Sequence, residues 1–284
     1  MAVVLMIIGT LTGLAEGVII KSYNSRHSQG GLVFTAIVSL FSMLFFMITD
    51  QNGFVFVPEM WWYGVLSGVL YCVASFLTYV ALSCGSFAMT MLIMSYTMLF
   101  PIVYGIVFLQ EHATAFTCVG LLVLMVSVYL VQEKDGDGGG KFSVKWLVAI
   151  AISFAANGFL GILQRMQQIR FDNAYTNEYM MITLGVSAAV LLVAGLAQNR
   201  KSFGRILRHG VFFAAGAGLS NGATNMLTMA VNALIPLSIA SPMRAGFRIV
   251  ISVLVSVICF KERFSKKQIV GVAFGTLALV LLNL

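Results

Sequence analysis

The segment PLSIASPMRAGFRIVISVLVSVICF, residues 236–260, is long and apolar enough to cross a membrane, yet it contains two arginines. A helix needs about 20 mainly apolar residues to span the hydrocarbon core of a bilayer. Arg244 and Arg248 are four residues apart, so they share one face of such a helix. An arginine near the bilayer centre costs at least about 2.5 kcal/mol unless a counter-charge, a wet cavity or a ligand compensates it. The pair is therefore a candidate functional site.

The composition of the whole chain also indicates a membrane protein. Of its 284 residues, 60% are hydrophobic and 10% are charged, whereas soluble domains carry roughly 25% charged residues. Apolar segments of suitable length lie near 2–21, 32–49, 60–82, 86–109, 115–131, 144–166, 177–197, 210–232, 236–260 and 267–283. We therefore predict an all-α integral membrane protein with ten transmembrane helices and no soluble catalytic domain.

The basic residues between these segments fall mainly in alternate loops. One set comprises Lys21, Arg26, Lys134, Lys141, Lys145, Arg200, Lys201, Arg205, Arg208, Lys261, Arg263, Lys266 and Lys267. The other set contains only Arg165 and Arg170. Since cytoplasmic loops carry an excess of Lys and Arg, the first set is predicted to face the cytoplasm and both termini to face outward. The net charge of +7 therefore reflects topology, and nucleic acid is not a predicted partner.

A polar linker, residues 132–145, divides the predicted spans into five in 1–131 and five in 146–284. Because five is odd, two halves of the same fold would have opposite orientations. The halves share short matches in the same order: Gly17 and Lys21 with Gly161 and Arg165, ALSCGSFAMT from Ala81 with AVNALIPLSI from Ala230, and Glu111 and Gly120 with Glu262 and Gly271. We predict two inverted five-helix repeats, a plan whose transporters bind substrate near the midplane.

The ends of the two halves carry motifs of a known family. These motifs are LQEHAT at 109–114 with Gly120 and FKERFS at 260–265 with Gly271, and they resemble the ends of EamA repeats. Pro101, ten residues before Glu111, stands where that family commonly has proline, whereas the second half has Ser252. Over essentially its whole length the chain resembles ten-helix EamA-like members of the drug/metabolite transporter (DMT) superfamily. The resemblance implies membrane transport and a bacterial inner (plasma) membrane.

Charged and polar residues of the ninth and first spans are the leading candidates for substrate binding. Ser241, Arg244 and Arg248 lie on one helical stripe, and Thr97 occupies an equivalent place in the fourth span. The planar donors of arginine suit a carboxylate or a phosphate. The alternative is an ion pair that only holds helices together.

Glu16 is the only acidic residue well inside a predicted span. It could bind a substrate amine or carry a coupling proton. Alternatively, it forms a permanent salt bridge with Arg244 or Arg248, or it reaches the interface near Lys21.

Polar side chains at helical spacing mark further candidates. They are Asn221, Asn225 and Thr228 in the eighth span, Ser75 and Tyr79 in the third, and Asn157 and Gln164 in the sixth. Such stripes line cavities, but the same residue types also form hydrogen bonds between membrane helices.

Together these patterns predict a secondary transporter that moves a small anionic or zwitterionic metabolite, preferably amino acid-like, by alternating access. The partners are a small-molecule substrate, the lipid bilayer and protons as candidate coupling ions, and the chain is expected to be a monomer. We expect no enzyme, since the sequence shows no nucleophile with a base, and we expect no cofactor or metal. The alternatives are multidrug or cationic-compound efflux and, in another class, a lipid-handling or structural membrane protein.

Overall fold

The protein is all-helical throughout the part of the chain that its computed structural model describes. The described residues are 2–26, 30–50, 53–55, 57–108, 119–120, 122–123, 126–127, 130, 143–172, 174–234, 237–261 and 265–281, some without their side chains. No β-strand occurs among them. Five of their helices are long and apolar enough to cross a membrane, so the protein is of the α-helical membrane class.

The helices follow the predicted spans closely. They are α1 (Ala2–Arg26), α2 (Gly31–Thr49), α3 (Pro58–Cys84), α4 (Phe87–Ser95), α5 (Leu99–Phe108), α6 (Val144–Arg170), α7 (Thr176–Gln198), α8 (Arg200–His209), α9 (Val211–Leu234), α10 (Leu237–Phe260) and α11 (Lys266–Leu281). The five apolar helices of spanning length are α1, α2, α3, α6 and α7. Helices α9 and α10 have 24 residues each, a length of about 36 Å. Most of the predicted span 115–131 lies outside the described residues.

The fourth predicted span is interrupted, and the reason is local. A 3₁₀ turn, Tyr96–Met98, separates α4 from α5. Pro101 has no N–H, so the carbonyl of Thr97 lacks its usual helical donor four residues later. The Thr97 hydroxyl donates to the Met94 carbonyl at 2.8 Å. The turn therefore follows from a proline and a polar side chain in an otherwise apolar segment.

Helix α8 lies where we predicted only a basic loop. Ile206 is buried, and Phe203 packs against the cluster that contains Tyr23 and Phe34. Arg208 is exposed. The three-residue spacing of Phe203 and Ile206 gives this helix one apolar face, but the surrounding basic residues obscured the pattern.

Three of the helix pairs in the described part of the chain are antiparallel, as their contacts show. In α1 and α9, Gly13 lies against Thr224 and Gly216 against Ile19. In α3 and α6, the Thr78 and Ser153 hydroxyls are 2.7 Å apart and Arg170 donates to Glu59 at 3.3 Å. In α2 and α7, Gly195 lies against Val33 and Gly185 against Met43. In each pair, residue numbers rise along one helix as they fall along the other.

Two further pairs, α3 with α7 and α2 with α9, are parallel, and each pair has glycines where the two helices touch. The contacts are Gly64 with Ile182, Gly68 with Val186, Gly218 with Phe41, and Gly222 with Phe45. A Cβ at any of these glycines would lie within 2.8 Å of the opposing side chain. Small residues thus allow these helices to approach closely.

The contacts also define the two ends of the bundle. At one end, which we call the Lys21 end, Gly85 lies against Trp146, Gly210 against Tyr23, and Lys21 against Phe260. At the opposite end, which we call the Arg165 end, Arg170 meets Glu59.

Candidate functional site

A cavity of about 370 Å³ is lined by residues of α1, α2, α3, α4, the 3₁₀ turn, α6, α9 and α10. Eleven of the twelve residues predicted to bind substrate line it: Glu16, Ser75, Tyr79, Thr97, Asn157, Gln164, Asn221, Asn225, Thr228, Arg244 and Arg248. The side chain of the twelfth, Ser241, lies outside the described residues. The predicted polar residues therefore converge on one space, although they come from distant parts of the sequence.

The amide of Asn221 fixes the carboxylate of Glu16. Asn221 Nδ2 donates to Glu16 Oε1 at 3.1 Å and to Oε2 at 3.0 Å. Asn221 is 8% exposed. Since a buried carboxylate requires hydrogen-bond donors, this contact explains how α1 carries an acid inside the bundle.

The oxygen of the same amide accepts three hydrogen bonds. Asn221 Oδ1 accepts from Ser42 Oγ at 3.0 Å, from Tyr71 Oη at 2.8 Å and from Asn225 Nδ2 at 3.0 Å. One side chain of α9 thus connects α1, α2 and α3 through hydrogen bonds. The sequence predicted Asn221 and Asn225 as binding residues, but it did not single out Ser42 or Tyr71 as their partners.

The two arginines of α10 lie on the cavity wall next to this network. Arg248 interacts electrostatically with Glu16 and with Arg244. Its Nη2 atom lies 3.9 Å from the position that a Cβ on Gly13 would occupy, so its guanidinium reaches α1. An anion placed beside both arginines would offset the repulsion between them.

Several of the remaining predicted residues bond to their own helices. Ser75 Oγ donates to the Tyr71 carbonyl at 2.7 Å, and Asn157 Nδ2 donates to the Ser153 carbonyl at 2.9 Å. Both residues line the cavity, and each has a side-chain oxygen that can accept a hydrogen bond.

Arg165 and Gln168 also line the cavity, and the sequence analysis missed them. We had counted Arg165 among the basic loop residues, although the sixth predicted span, 144–166, includes it. It lies eight residues after Asn157 and one after Gln164, whereas α6 continues to Arg170. The helical spacing of the three side chains was the signal that could have identified it.

Aromatic side chains fill the bundle between the cavity and the Lys21 end. The rings of Tyr23 and Phe34 stack with centroids 4.1 Å apart, and the ring of Tyr79 lies 5.6 Å from that of Phe34. All three residues are buried. Tyr79, predicted as a binding residue, therefore forms the boundary between the cavity and this packed end.

Polar contacts reinforce the packed end. Lys21 Nζ donates to the Gly85 carbonyl at 3.3 Å and lies 4.7 Å from the ring centroid of Phe260. Asn24 Nδ2 donates to the Tyr79 carbonyl at 3.2 Å. The end of α1 is thus tied to α3 and α10.

The described residues contain no group of three or more His, Cys, Asp or Glu that could hold a metal ion. No protein-family model and no curated protein matches the sequence. Among the 28 solved chains that match, one is described as "Crystal structure of protein". It has a TM-score of 0.59 and 12% sequence identity, and the match covers 97% of this chain and 98% of that chain. At this identity the likeness shows a shared fold alone.

Proposed function

We propose that the protein is a secondary transporter of a small anionic or zwitterionic metabolite, preferably amino acid-like. The observation that carries the proposal is that Glu16, Arg244 and Arg248 line one cavity inside a bundle of apolar helices. Its volume of about 370 Å³ falls within the usual range of roughly 300–1,000 Å³ for small-molecule sites. Intramembrane ionisable residues typically mark substrate pathways.

The chemistry of the walls supports a carboxylate-bearing substrate. Two guanidinium groups can each form paired hydrogen bonds with a carboxylate. Glu16, although bonded to Asn221, can accept from a substrate ammonium because a carboxylate has about four acceptor positions. Asn225 and Thr228 line the same wall and supply orienting polar groups.

We also propose ten spans in two inverted repeats, as the EamA-like resemblance implies. The helix contacts support this proposal, because the same pairs of helices remain in contact when α1 is exchanged with α6, α2 with α7, and α3 with α9. The exchange turns the antiparallel pair α1–α9 into α6–α3, and it turns the parallel pair α3–α7 into α9–α2. Both members of each exchange occur in the fold.

We place the Lys21 end in the cytoplasm, following the distribution of the basic residues. Because aromatic rings pack that end, the cavity of this state would serve the outer side. Alternating access requires the Lys21 end to open and the Arg165 end to close.

Cationic-compound efflux is less well supported by the charges of the cavity. Its described lining contains three arginines, Arg165, Arg244 and Arg248, and one glutamate, Glu16. A net formal charge of +2 repels cations at short range and low dielectric.

Transport and binding assays with a matched pair of arginine variants test the proposal. Purified protein is screened by thermal unfolding against amino acids, organic acids, phosphorylated metabolites and cationic drugs, and hits are then tested for uptake into liposomes. A ligand at 100 times its Kd should stabilise the fold by about 2.7 kcal/mol. We expect Arg248→Gln to abolish binding and uptake.

Arg208→Gln is the control, because Arg208 is exposed on α8, away from the cavity. It should bind and transport as the wild type does. Binding only of hydrophobic cations, insensitive to Arg248→Gln, would instead favour efflux. Failure to move any water-soluble solute would favour a lipid-handling or structural role.

A further inference from the structure

Arg165 gives the cavity a cationic side chain on the wall where we had predicted Asn157 and Gln164. It comes from α6, whereas Arg244 and Arg248 come from α10, and all three line the same space. Gln164 and Gln168 flank it on the same helix face, and Gln168 is 5% exposed. Arg165 therefore belongs to the built wall of the cavity.

The helix contacts give the position of each arginine along the axis between the two ends of the bundle. The pairs Thr78–Ser153 and Glu59–Arg170 set the register of α3 and α6. In that register, Arg165 lies about 9 Å along the helix axis from the level of Tyr71, toward the Arg165 end. Tyr71 marks the level of the Asn221–Glu16 contact, because it donates to the same amide.

The register of α1 and α10 also places Arg244 toward the Arg165 end. Arg248 reaches Gly13, which is three residues, or about 4.5 Å, from Glu16 toward the Arg165 end. Phe260 lies at the Lys21 end, so Arg244 is one further turn, about 6 Å, toward the opposite end. Arg165 and Arg244 thus lie on two walls of the cavity, and both lie closer than Glu16 to the Arg165 end.

We propose that this arrangement selects a substrate with two separated carboxylates, and that Arg165 determines the preference. One carboxylate lies beside Arg248 and Arg244, and the second lies between Arg244 and Arg165. An ammonium group, where the substrate has one, meets Glu16. A dicarboxylate without an ammonium neutralises the net formal charge of +2 on the described lining, and an acidic amino acid, with a net charge of −1, lowers it to +1. An acidic amino acid supplies both carboxylates and the ammonium, and this inference rests on the transport function proposed above.

The test compares glutamate with glutamine, which have nearly the same shape but differ by one carboxylate. Affinities are measured by ligand-induced thermal stabilisation of the purified wild type and of three variants of α6: Arg165→Gln, Arg165→Lys and Arg170→Gln. Because a hydrogen bond to a charged group contributes roughly 1.5–3 kcal/mol, the wild type should bind glutamate at least about tenfold more tightly than glutamine.

Arg165→Gln should remove this preference by weakening the binding of glutamate, with a smaller effect on the binding of glutamine. Arg165→Lys should restore part of the preference, and Arg170→Gln, which changes an exposed arginine of the same helix, should keep all of it. Unchanged melting temperatures without ligand show that the variants fold.

Equal affinities of the wild type for the two amino acids, or a preference that survives Arg165→Gln, would overturn the proposal. The transport function would still stand if Arg248→Gln abolished the binding of either ligand. Stabilisation by inorganic phosphate in place of dicarboxylates would also overturn it, since phosphate is a single compact anion. If no solute binds in an Arg248-dependent manner, both proposals fail.

Discussion

The two ends of the bundle use similar charged residues in different ways. At the Lys21 end, Lys21 donates to the Gly85 carbonyl and lies over the ring of Phe260, among buried aromatic side chains. At the opposite end, Arg165 lines a cavity together with Gln164 and Gln168. Packing around the charge, not the charge alone, therefore decides whether a basic residue closes one end of a bundle or faces a ligand site.

In the proposed repeat, Lys21 and Arg165 occupy equivalent positions. Equivalent residues in different surroundings are expected of a protein whose halves exchange conformations during alternating access. Under that proposal, the surroundings of Lys21 and Arg165 would be exchanged in the opposite state.

The largest effect should come from Gly85→Ala, which tests how tightly the Lys21 end is packed. A Cβ at Gly85 would overlap the ring of Trp146, which is 1% exposed and donates to Thr90 Oγ1 at 3.0 Å. We expect a destabilisation of about 1–3 kcal/mol, the usual cost of overpacking. Thermal unfolding in detergent measures it.

Gly9→Ala is the control at the other end, because its Cβ would lie 3.3 Å from Leu227 Cβ, a contact that a small shift relieves. It should lower the melting temperature much less than Gly85→Ala does. Equal decreases would mean that the two ends are packed alike, and the comparison would fail.

We expect an intermediate effect for Lys21→Met, measured as the rate at which a maleimide labels Cys84. This cysteine is half-buried beside Gly85 and donates to the Val80 carbonyl. Loss of one charged hydrogen bond and one cation–π contact should raise the labelling rate by a water-soluble maleimide about 3- to 10-fold.

The labelling background carries Cys72→Ser, Cys118→Ser and Cys259→Ser, so that Cys84 alone reacts. Arg165→Met should leave the rate unchanged, since Arg165 lies at the opposite end. An unchanged rate in Lys21→Met would show that aromatic packing closes the Lys21 end without the lysine.

The smallest effect is predicted for Glu59→Gln, which breaks the ion pair with Arg170. The two side chains are 64% and 62% exposed, and the atoms are 3.3 Å apart. Exposed pairs contribute about 0–1 kcal/mol, so the change in unfolding free energy should stay below about 1 kcal/mol. A larger loss would mean that this pair ties α3 to α6 as firmly as the contacts at the Lys21 end.

Much of the helix pattern could be read from the sequence, because an apolar run of spanning length leaves few other structures possible. The described α2, for example, spans Gly31–Thr49, against a predicted 32–49. The polar residues on the cavity wall were predictable for the same reason, since membrane helices rarely carry residues such as Glu16 and Arg248 without a role.

The missed features depend on tertiary contacts. Arg165 resembled a loop residue because a charge usually ends a span, whereas in the structure α6 continues to Arg170 and Arg165 lines the cavity. The stack of Tyr23 on Phe34 joins two helices through ordinary aromatic residues, which carry no signal of their partner. Asn221 had a recognisable spacing, but its role as the common partner of Glu16, Ser42 and Tyr71 required the packed structure.

The 3₁₀ turn at Tyr96–Met98 has a mechanical consequence for the two ends. Helix α4 packs against α10 at the Lys21 end, where the rings of Phe87 and Phe260 lie 5.2 Å apart. Helix α5 packs instead against α6, through Phe100 and Phe154. Since the 3₁₀ turn interrupts the regular helical hydrogen bonds between them, we expect the segment to bend most easily there. A tilt of α4 together with α10 would then leave the contact of α5 with α6 in place.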